Sequence, residues 1–230
     1  MDWNLIVESL PKLLAGAGQT LEITLVSVIF GLMLAIPLAL ERLSKNPLLS
    51  WPAYGFVFYF RGTPLLVQLF LIYYGSGQFR DALESAGLWT YFRNAWFCAA
   101  LTLTLNTAAY SAEIFRGAIQ AVPRGEIEAG KAFGMSGWLL FRRIIMPKAF
   151  RIALPAYGNE VVFLLQATSL ASAITVVELT GAADLIRSKT FAVYEMYLTA
   201  AALYLILTYI LVYGFRLLEK RLHAYQERPV

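Results

Sequence analysis

Five long apolar segments constrain this chain more than any other feature of its sequence. They cover residues 21–40, 51–74, 95–114, 152–173 and 195–217. An apolar segment of about 20 residues spans a bilayer as an α-helix, because a helix satisfies its own backbone hydrogen bonds in lipid. Charged residues make up 15% of the 230 positions, below the roughly one quarter of soluble domains. We therefore predict an all-α membrane protein with five transmembrane helices.

The apolar segments divide the chain into three parts. Residues 1–18 are amphipathic and too polar to span, so we expect them to lie at the membrane interface. Residues 19–222 form one transmembrane domain, and residues 223–230 form a polar tail.

Prolines mark the places where the helices are expected to be interrupted, because proline lacks a backbone N–H. Pro11 falls within the N-terminal segment, Pro147 falls in the lead-in to the fourth segment, and Pro155 falls near the start of that segment. The run Phe60–Pro64 also predicts a break in the second segment, which neighbouring groups must satisfy.

Lysine and arginine are unevenly divided between the two sets of connections. One set holds Arg42, Lys45, Arg116, Arg124, Lys131, Arg142, Arg143, Lys148, Arg151, Arg216, Lys220, Arg221 and Arg228, and the other holds only Lys12, Arg80, Arg93, Arg187 and Lys189. Connections rich in these residues face the cytoplasm. This asymmetry predicts an N-terminus outside the cell and a cytoplasmic C-terminus.

The longest polar interruption covers residues 123–155. Glu126 and Glu128 lie on a predicted short helix that stops near Gly134, and Ser136 is suited to begin a second one. Two interpretations remain open for this segment. It is either an ordinary cytoplasmic loop with basic anchors or a docking surface for another protein.

Polar residues within the apolar segments indicate either a transport path or contacts between helices. Asn106, Tyr110 and Glu113 share one helical face at spacings of four and three. Asn106 suits either a substrate contact or a hydrogen bond to a neighbouring helix. Glu113 suits a gate or a partner for an arginine such as Arg116 or Arg61. Arg61 itself is either an interfacial anchor or a path residue.

The fourth segment carries a second polar face. Asn159, Phe163 and Gln166 share it, and Glu160 lies about 100° round from Asn159. The Glu160 carboxylate suits a cationic substrate, or alternatively an ion pair with Arg61.

Several classes of site are excluded. The single histidine, His223, and the single cysteine, Cys98, leave no histidine-based triad, metal site or disulfide framework. The sequence has no phosphate-binding loop, so we expect no ATP site on this chain. It has no convincing set of catalytic residues either, so we expect no enzyme activity. The net charge is only +4, and the positive residues are distributed according to the side of the membrane rather than gathered in one patch, so we expect no nucleic-acid binding.

Four motifs in order resemble the permeases of binding-protein-dependent ABC importers. They are Arg61-Gly62-Thr63-Pro64, Asn106 to Tyr110 with Glu113, the run Glu128-Ala129-Gly130 followed by Gly134, and Leu154-Pro155. The third motif is similar to the EAA loop of that family, with Gly130 in place of the second alanine. Within the family, the chain is most similar to the permeases for histidine, lysine, arginine and ornithine and to the opine permeases.

The resemblance implies a type I importer (MetI-like) permease fold and a multi-pass subunit of the bacterial inner membrane. The substrates it implies are polar, in particular basic, amino acids or opines such as octopine and nopaline. The partners it implies are a second permease subunit, a dimeric cytoplasmic ATPase that holds ATP and magnesium, a periplasmic substrate-binding protein and membrane lipid. It implies no cofactor on this chain.

The resemblance also assigns residues to two roles. Coupling to the ATPase, within residues 121–147, would involve Glu126, Glu128, Ala129, Gly130, Ala132 and Gly134. The substrate path would involve Arg61, Thr63, Asn106, Tyr110, Asn159, Glu160, Gln166, Thr168 and Ser169. The sequence departs from the family at Gln166-Ala167, where related permeases often carry Lys-Asp.

Overall fold

The computed structural model describes residues 2–223, and these residues are helical almost throughout. Helix α1, Trp3–Leu43, contains 41 residues. Asp2 caps its N-terminus, and the Asp2 carboxylate accepts a hydrogen bond from the Leu5 amide. Pro11 lies inside this helix without ending it, so the predicted interruption there is wrong. Residues 3–18 are the first part of α1, and their place at the membrane interface stays a prediction.

The remaining helices follow in chain order. They are α2 (Pro47–Gly62), α3 (Leu65–Tyr73), α4 (Arg80–Ser85), α5 (Trp89–Phe92), α6 (Ala95–Gln120), α7 (Arg124–Ala132), α8 (Gly137–Leu140), α9 (Met146–Ala167), α10 (Leu179–Thr190) and α11 (Val193–His223). Tighter 3₁₀ turns cover Gly75–Phe79 and Thr168–Ile174, and a π-helical turn covers Phe141–Ile145. Residues 224–230 of the predicted tail lie outside the described range.

The predicted interruptions at Pro147 and Pro155 are also wrong. Pro147 follows the π-helical turn Phe141–Ile145 at the start of α9, and the helical run continues through it. Pro155 lies inside α9, which continues through it to Ala167. The predicted break at Phe60–Pro64 is confirmed, because α2 ends at Gly62 and the helical run that follows is turned by 107°.

Helix α6 lies at the centre of the subunit, with α1 along one side and α9 along another. Close approach of α1 to α6 requires Gly31, since a Cβ there would lie 2.4 Å from the Thr107 methyl carbon. The N-terminal half of α1 instead packs on α10 and α11, where Leu13, Leu179 and Met196 are fully buried. Helix α1 therefore connects the part of the subunit around α6 with the part formed by α10 and α11.

By length and composition, α1 and α11 can each cross a membrane. Two pairs of consecutive helical runs are also long and apolar enough, but each pair is bent at a short break. If each bent pair is one span, the described residues contain four such spans. The pairs are Pro47–Gly62 with Leu65–Ser85, and Gly137–Ile174 with Leu179–Thr190. The central helix α6 has 26 residues but is not among these candidate spans, and its sequence contains threonines and Asn106.

Candidate functional site

The break between α2 and α3 is held by two nearby side chains, Thr63 and Gln68, and by one distant side chain, Asn106 of α6. The Gln68 amide nitrogen lies 2.9 Å from the Phe60 carbonyl oxygen and 3.1 Å from the Thr63 carbonyl oxygen. The Asn106 amide nitrogen donates to the Phe60 carbonyl oxygen at 3.2 Å and to Gln68 Oε1 at 2.9 Å. Thr63 Oγ1 donates to the Tyr59 carbonyl oxygen. These bonds satisfy the carbonyl groups that the break would otherwise leave unpaired.

A second cluster gathers three arginines around one carboxylate. Glu113 accepts from Arg42 Nε at 3.1 Å and from the Arg116 guanidinium at 2.8 Å, while Arg61 lies 4.0 Å away. The Arg61 guanidinium also lies over the Tyr110 ring, 5.2 Å from its centroid. The predicted arginine partners of Glu113 are therefore confirmed, with Arg42 as a third that the sequence did not indicate.

Glu160 projects from α9 towards α6 and has no arginine or lysine nitrogen within 4 Å among the described residues. Its Oε1 accepts one hydrogen bond, from Thr107 Oγ1 at 3.1 Å. The alternative pairing with Arg61 is not formed as a contact ion pair: Arg61 lies 4.0 Å from Glu113 and acts on Glu160 only at longer range. A half-buried carboxylate with one neutral partner retains the capacity to bind a cation.

The polar face of α9 forms as the spacing predicts. Asn159, Phe163 and Gln166 are all exposed on the surface of the subunit, and Phe163 is 66% exposed. Gln166 and Ser169 line a groove of about 520 Å³ whose other wall is α11, which contributes Tyr197, Tyr204 and Thr208 among others. Thr168 is completely buried and donates to the Leu165 carbonyl oxygen, so it lies behind this face.

The predicted helix in the 123–155 segment is α7, and Gly134 ends it. The Met135 amide donates to the Gly130 carbonyl oxygen and the Gly134 amide to the Lys131 carbonyl oxygen, which is a Schellman motif. Gly134 has φ +77°, a conformation that favours glycine. Ser136 precedes α8 as predicted, but its side chain makes no capping hydrogen bond.

Helix α7 is fixed on one side and open on the other. Gly130 is buried, and a Cβ there would lie 2.5 Å from Ile144 Cδ1. Glu126 pairs with Lys148 at 2.6 Å, which ties α7 to the start of α9. The exposed side carries Glu128, Ala129 and Ala132. Two exposed aromatic side chains follow it in sequence, Phe133 directly after α7 at 85% and Trp138 of α8 at 70% exposure. Such an exposed apolar surface on an ordered segment is typical of a protein interface.

The family model for binding-protein-dependent transport system inner membrane components matches residues 27–224. The chain belongs to this family. As a permease of this family it is a transport component rather than an enzyme, and it is a membrane protein.

Close relatives are similar along nearly the whole chain. The nopaline transport system permease protein NocM of Agrobacterium fabrum is 55% identical over 210 residues, 91% of this chain and 87% of that protein. The octopine permease OccM of Rhizobium meliloti is 48% identical over 212 residues, 92% of this chain and 86% of that protein. The histidine/lysine/arginine/ornithine permease HisM of Escherichia coli K12 is 45% identical over 206 residues, 90% of this chain and 87% of that protein.

Solved structures of permeases share the fold. A chain of an amino acid ABC transporter crystallised with histidines superposes with a TM-score of 0.83 at 33% identity, covering 96% of this chain and 99% of that one. An inward-facing chain of the MetNI methionine ABC transporter superposes with a TM-score of 0.76 over 96% of this chain and 99% of that one. At 21% identity the second likeness establishes the fold alone, which is the MetI-like permease fold.

One cluster in this permease was missed by sequence reasoning. Glu178 is fully buried and accepts from the Thr180 and Gly181 amides at 2.8 Å each and from the Tyr204 hydroxyl at 2.7 Å. The Leu179 amide donates to Thr20 Oγ1 at 3.2 Å, so the cluster joins α1, α10 and α11. An acidic residue directly before a helix start is a capping signal, and it could have drawn attention to Glu178.

Proposed function

We propose that this chain is a permease subunit of an ATP-binding-cassette importer that carries basic amino acids or opines across the bacterial inner membrane. The substrates would be histidine, arginine, lysine and ornithine, or octopine and nopaline. The observation that carries this proposal is the sequence identity of 45% to 55%, over nine-tenths of the chain, with permeases named for these substrates. Membership of the family of inner membrane components supports a location in the bacterial inner membrane.

The substrate path, in this proposal, follows α9. Glu160 supplies the negative charge that a guanidinium or ammonium group requires, since no arginine or lysine forms an ion pair with it within 4 Å among the described residues and Arg61 acts on it only at longer range. Asn159 and Gln166 on the exposed face, with Ser169 in the groove beside α11, supply hydrogen-bonding groups. The position of these residues on an open surface supports a path that a second permease subunit, a copy or a homologue, completes.

Other residues expected along the path have partners that favour a different role. Thr63 and Asn106 hold the break between α2 and α3, so we assign them to positioning rather than to substrate contact. Arg61 and Tyr110 belong to the cluster around Glu113, which favours the interfacial alternative for Arg61. Thr168 is buried behind the groove and supports the turn at the end of α9.

The five-span topology with a periplasmic N-terminus is part of the proposal. The spans would be α1, the bent pair that begins with α2, α6, the run that contains α9, and α11. A 26-residue helix such as α6 is about 39 Å long, enough to cross the hydrocarbon core of a bilayer. The distribution of lysine and arginine supports a cytoplasmic location for α7 and for the C-terminal tail.

We assign coupling to the segment that contains α7. Glu128, Ala129 and Ala132 lie on its exposed side next to Phe133, and this surface suits a groove on an ATPase subunit. Gly130 and the ion pair between Glu126 and Lys148 hold α7 against the membrane helices, so a push on α7 moves those helices as a rigid body. ATP and magnesium would bind to the dimeric ATPase, and this chain would hold no cofactor.

Reconstituted transport tests the proposal. The chain is assembled with its ATPase, its partner permease and the substrate-binding protein in proteoliposomes, and ATP-dependent uptake of labelled arginine is measured. Competition by histidine, octopine and nopaline then separates the two substrate classes. Import of a neutral apolar amino acid alone, with no competition from these four compounds, would contradict the proposed substrate class.

A further inference from the structure

The cluster around Glu113 carries more positive charge than its carboxylate can neutralise. Three guanidinium groups, those of Arg42, Arg61 and Arg116, surround the Glu113 carboxylate, and Arg61 also interacts at longer range with the Glu160 carboxylate, so one positive charge remains. Arg42 and Arg116 bind Glu113 at 3.1 and 2.8 Å, and their side chains are only 19% and 28% exposed. Arg61 lies 4.0 Å from the same carboxylate and is 44% exposed. Arg61 is therefore the arginine best placed to bind a further anion.

The surroundings of Arg61 form an open cavity rather than a flat surface. The cavity has a volume of about 390 Å³, and its walls include Arg42, Tyr54, Phe58 and Tyr110. Arg42 also lies over the Tyr54 ring, 4.7 Å from its centroid. Two aromatic rings, those of Tyr54 and Tyr110, thus fix the directions of two guanidinium groups that line the same space.

The cavity lies at one end of a membrane-crossing helix and borders an apolar surface. Arg42 is the next-to-last residue of α1, and α2 begins five residues later at Pro47. Trp51 and Phe58 on α2 are 75% and 66% exposed. Tryptophan and tyrosine at helix ends are typical of the bilayer interface, where lipid headgroups meet acyl chains.

We infer that this cavity binds the headgroup of an anionic phospholipid. Its phosphate would accept hydrogen bonds from Arg61 and Arg42, and its acyl chains would run along Trp51 and Phe58 of α2. Basic pockets between membrane helices are suited to anionic headgroups. The alternative anion is the carboxylate of a transported basic amino acid. A basic amino acid carries a net positive charge, so a site lined by three arginines disfavours it. An opine carries further carboxylates, and competition with octopine in the experiment below separates that solute from the lipid.

Lipid retention by the intact importer tests this inference. The assembled transporter is reconstituted in phosphatidylcholine nanodiscs that contain a minor fraction of phosphatidylglycerol, and native mass spectrometry counts the phosphatidylglycerol molecules that stay bound. Wild type is expected to retain phosphatidylglycerol in preference to phosphatidylcholine. Arg61→Gln should weaken retention about ten-fold, the effect of losing one hydrogen bond to a charged group. Arg61→Lys keeps the charge and should keep most of the retention.

Arg80→Gln is the matched control, because Arg80 is an exposed arginine paired with Glu84 at 2.9 Å outside the cluster. It should leave retention unchanged. Equal retention by wild type and Arg61→Gln would overturn the inference, as would equal retention of the two lipids by wild type. Displacement of phosphatidylglycerol by millimolar arginine or octopine would overturn it in favour of a solute site. If Arg61→Gln fails to assemble, the lipid preference of wild type and of Arg61→Lys still decides the question.

Discussion

The Glu160 carboxylate on α9 accepts a hydrogen bond from the Thr107 hydroxyl on α6 at 3.1 Å. Thr107 is a neutral donor, so it orients the carboxylate without neutralising its charge. Transferring a carboxylate from water into a membrane protein costs free energy unless a cation or hydrogen-bond donors compensate. In the proposed function, the substrate would be that cation.

Replacing Glu160 with glutamine should therefore reduce transport of a cationic substrate while the permease still folds and assembles. The glutamine oxygen can still accept from Thr107, so assembly should be retained. Uptake of arginine in proteoliposomes should fall about ten-fold or more, since a hydrogen bond to a charged group contributes roughly 1.5–3 kcal/mol. Glu84→Gln, which removes a carboxylate from the exposed pair with Arg80, should leave uptake unchanged. Normal uptake by assembled Glu160→Gln would remove Glu160 from the path.

Structural features of this permease that depend on neighbouring residues in the sequence were predictable, whereas features that depend on packing between distant helices were not. The end of α7 at Gly134 and the break after Gly62 were predictable, because glycine and proline act on their own neighbourhood. The polar face with Asn159 and Gln166 follows from helical spacing alone. Pro155 was misjudged because a packed membrane helix tolerates proline when its neighbours satisfy the freed carbonyl groups.

The clusters that join distant segments could not be read from the sequence. Thr20 meets Glu178 across 158 positions, and Asn106 meets Gln68 across 38. The family resemblance pointed to Asn106 but gave Gln68 and Glu178 no role. Each contact depends on how the helices pack, and a single sequence contains no direct record of that packing.

Gly134→Asp tests the coupling surface. Gly134 has φ +77°, and no heavy atom lies within 4 Å of the place that a Cβ would occupy, so an aspartate fits with about 1 kcal/mol of backbone strain. Membrane insertion should be retained, whereas stimulation of ATP hydrolysis by the substrate-binding protein should be lost, because a charge is added next to exposed Phe133. Gly125→Ala, at an open helical position in α7, should couple normally. Full transport by Gly134→Asp would count against docking at this surface.

Glu178→Ala should destabilise the permease strongly. The change leaves the buried Thr180 and Gly181 amides without their acceptor, and each unpaired buried donor costs about 1–3 kcal/mol. The apparent melting temperature of the purified assembly should drop clearly. Tyr204→Phe should lower it less, because it removes the hydrogen bonds of one hydroxyl, to Glu178 and Thr180, and leaves both backbone amides with their acceptor. Glu84→Ala at an exposed site provides the control. An unchanged melting temperature for Glu178→Ala would show that the buried cluster contributes little to stability.

Gln68→Leu should loosen the break between α2 and α3. Gln68 is 1% exposed, and leucine matches its size but leaves the Phe60 and Thr63 carbonyl oxygens with fewer donors. Hydrogen exchange of amides in residues 59–68 should become faster, as expected for local opening. Gln78→Leu changes an exposed glutamine and should leave exchange in 59–68 as in wild type. Unaltered exchange in Gln68→Leu would mean that Asn106 alone holds the break.

Gly31→Ala tests the approach of α1 to α6 and its link to Glu160. A Cβ at position 31 would lie 2.4 Å from the Thr107 methyl carbon, so the change should cost about 1–3 kcal/mol despite the better helix propensity of alanine. It should also weaken arginine uptake, because Thr107 must shift away from Glu160.

Thr107→Ser provides the rescue, since serine removes the methyl group and keeps the hydroxyl that Glu160 binds. The double variant Gly31→Ala/Thr107→Ser should therefore recover both the melting temperature and the uptake that Gly31→Ala loses. Gly18→Ala, at an open position of the same helix, should behave as wild type. If the double variant lost as much as the sum of the two single variants, the contact between Gly31 and Thr107 would not determine how α1 packs on α6.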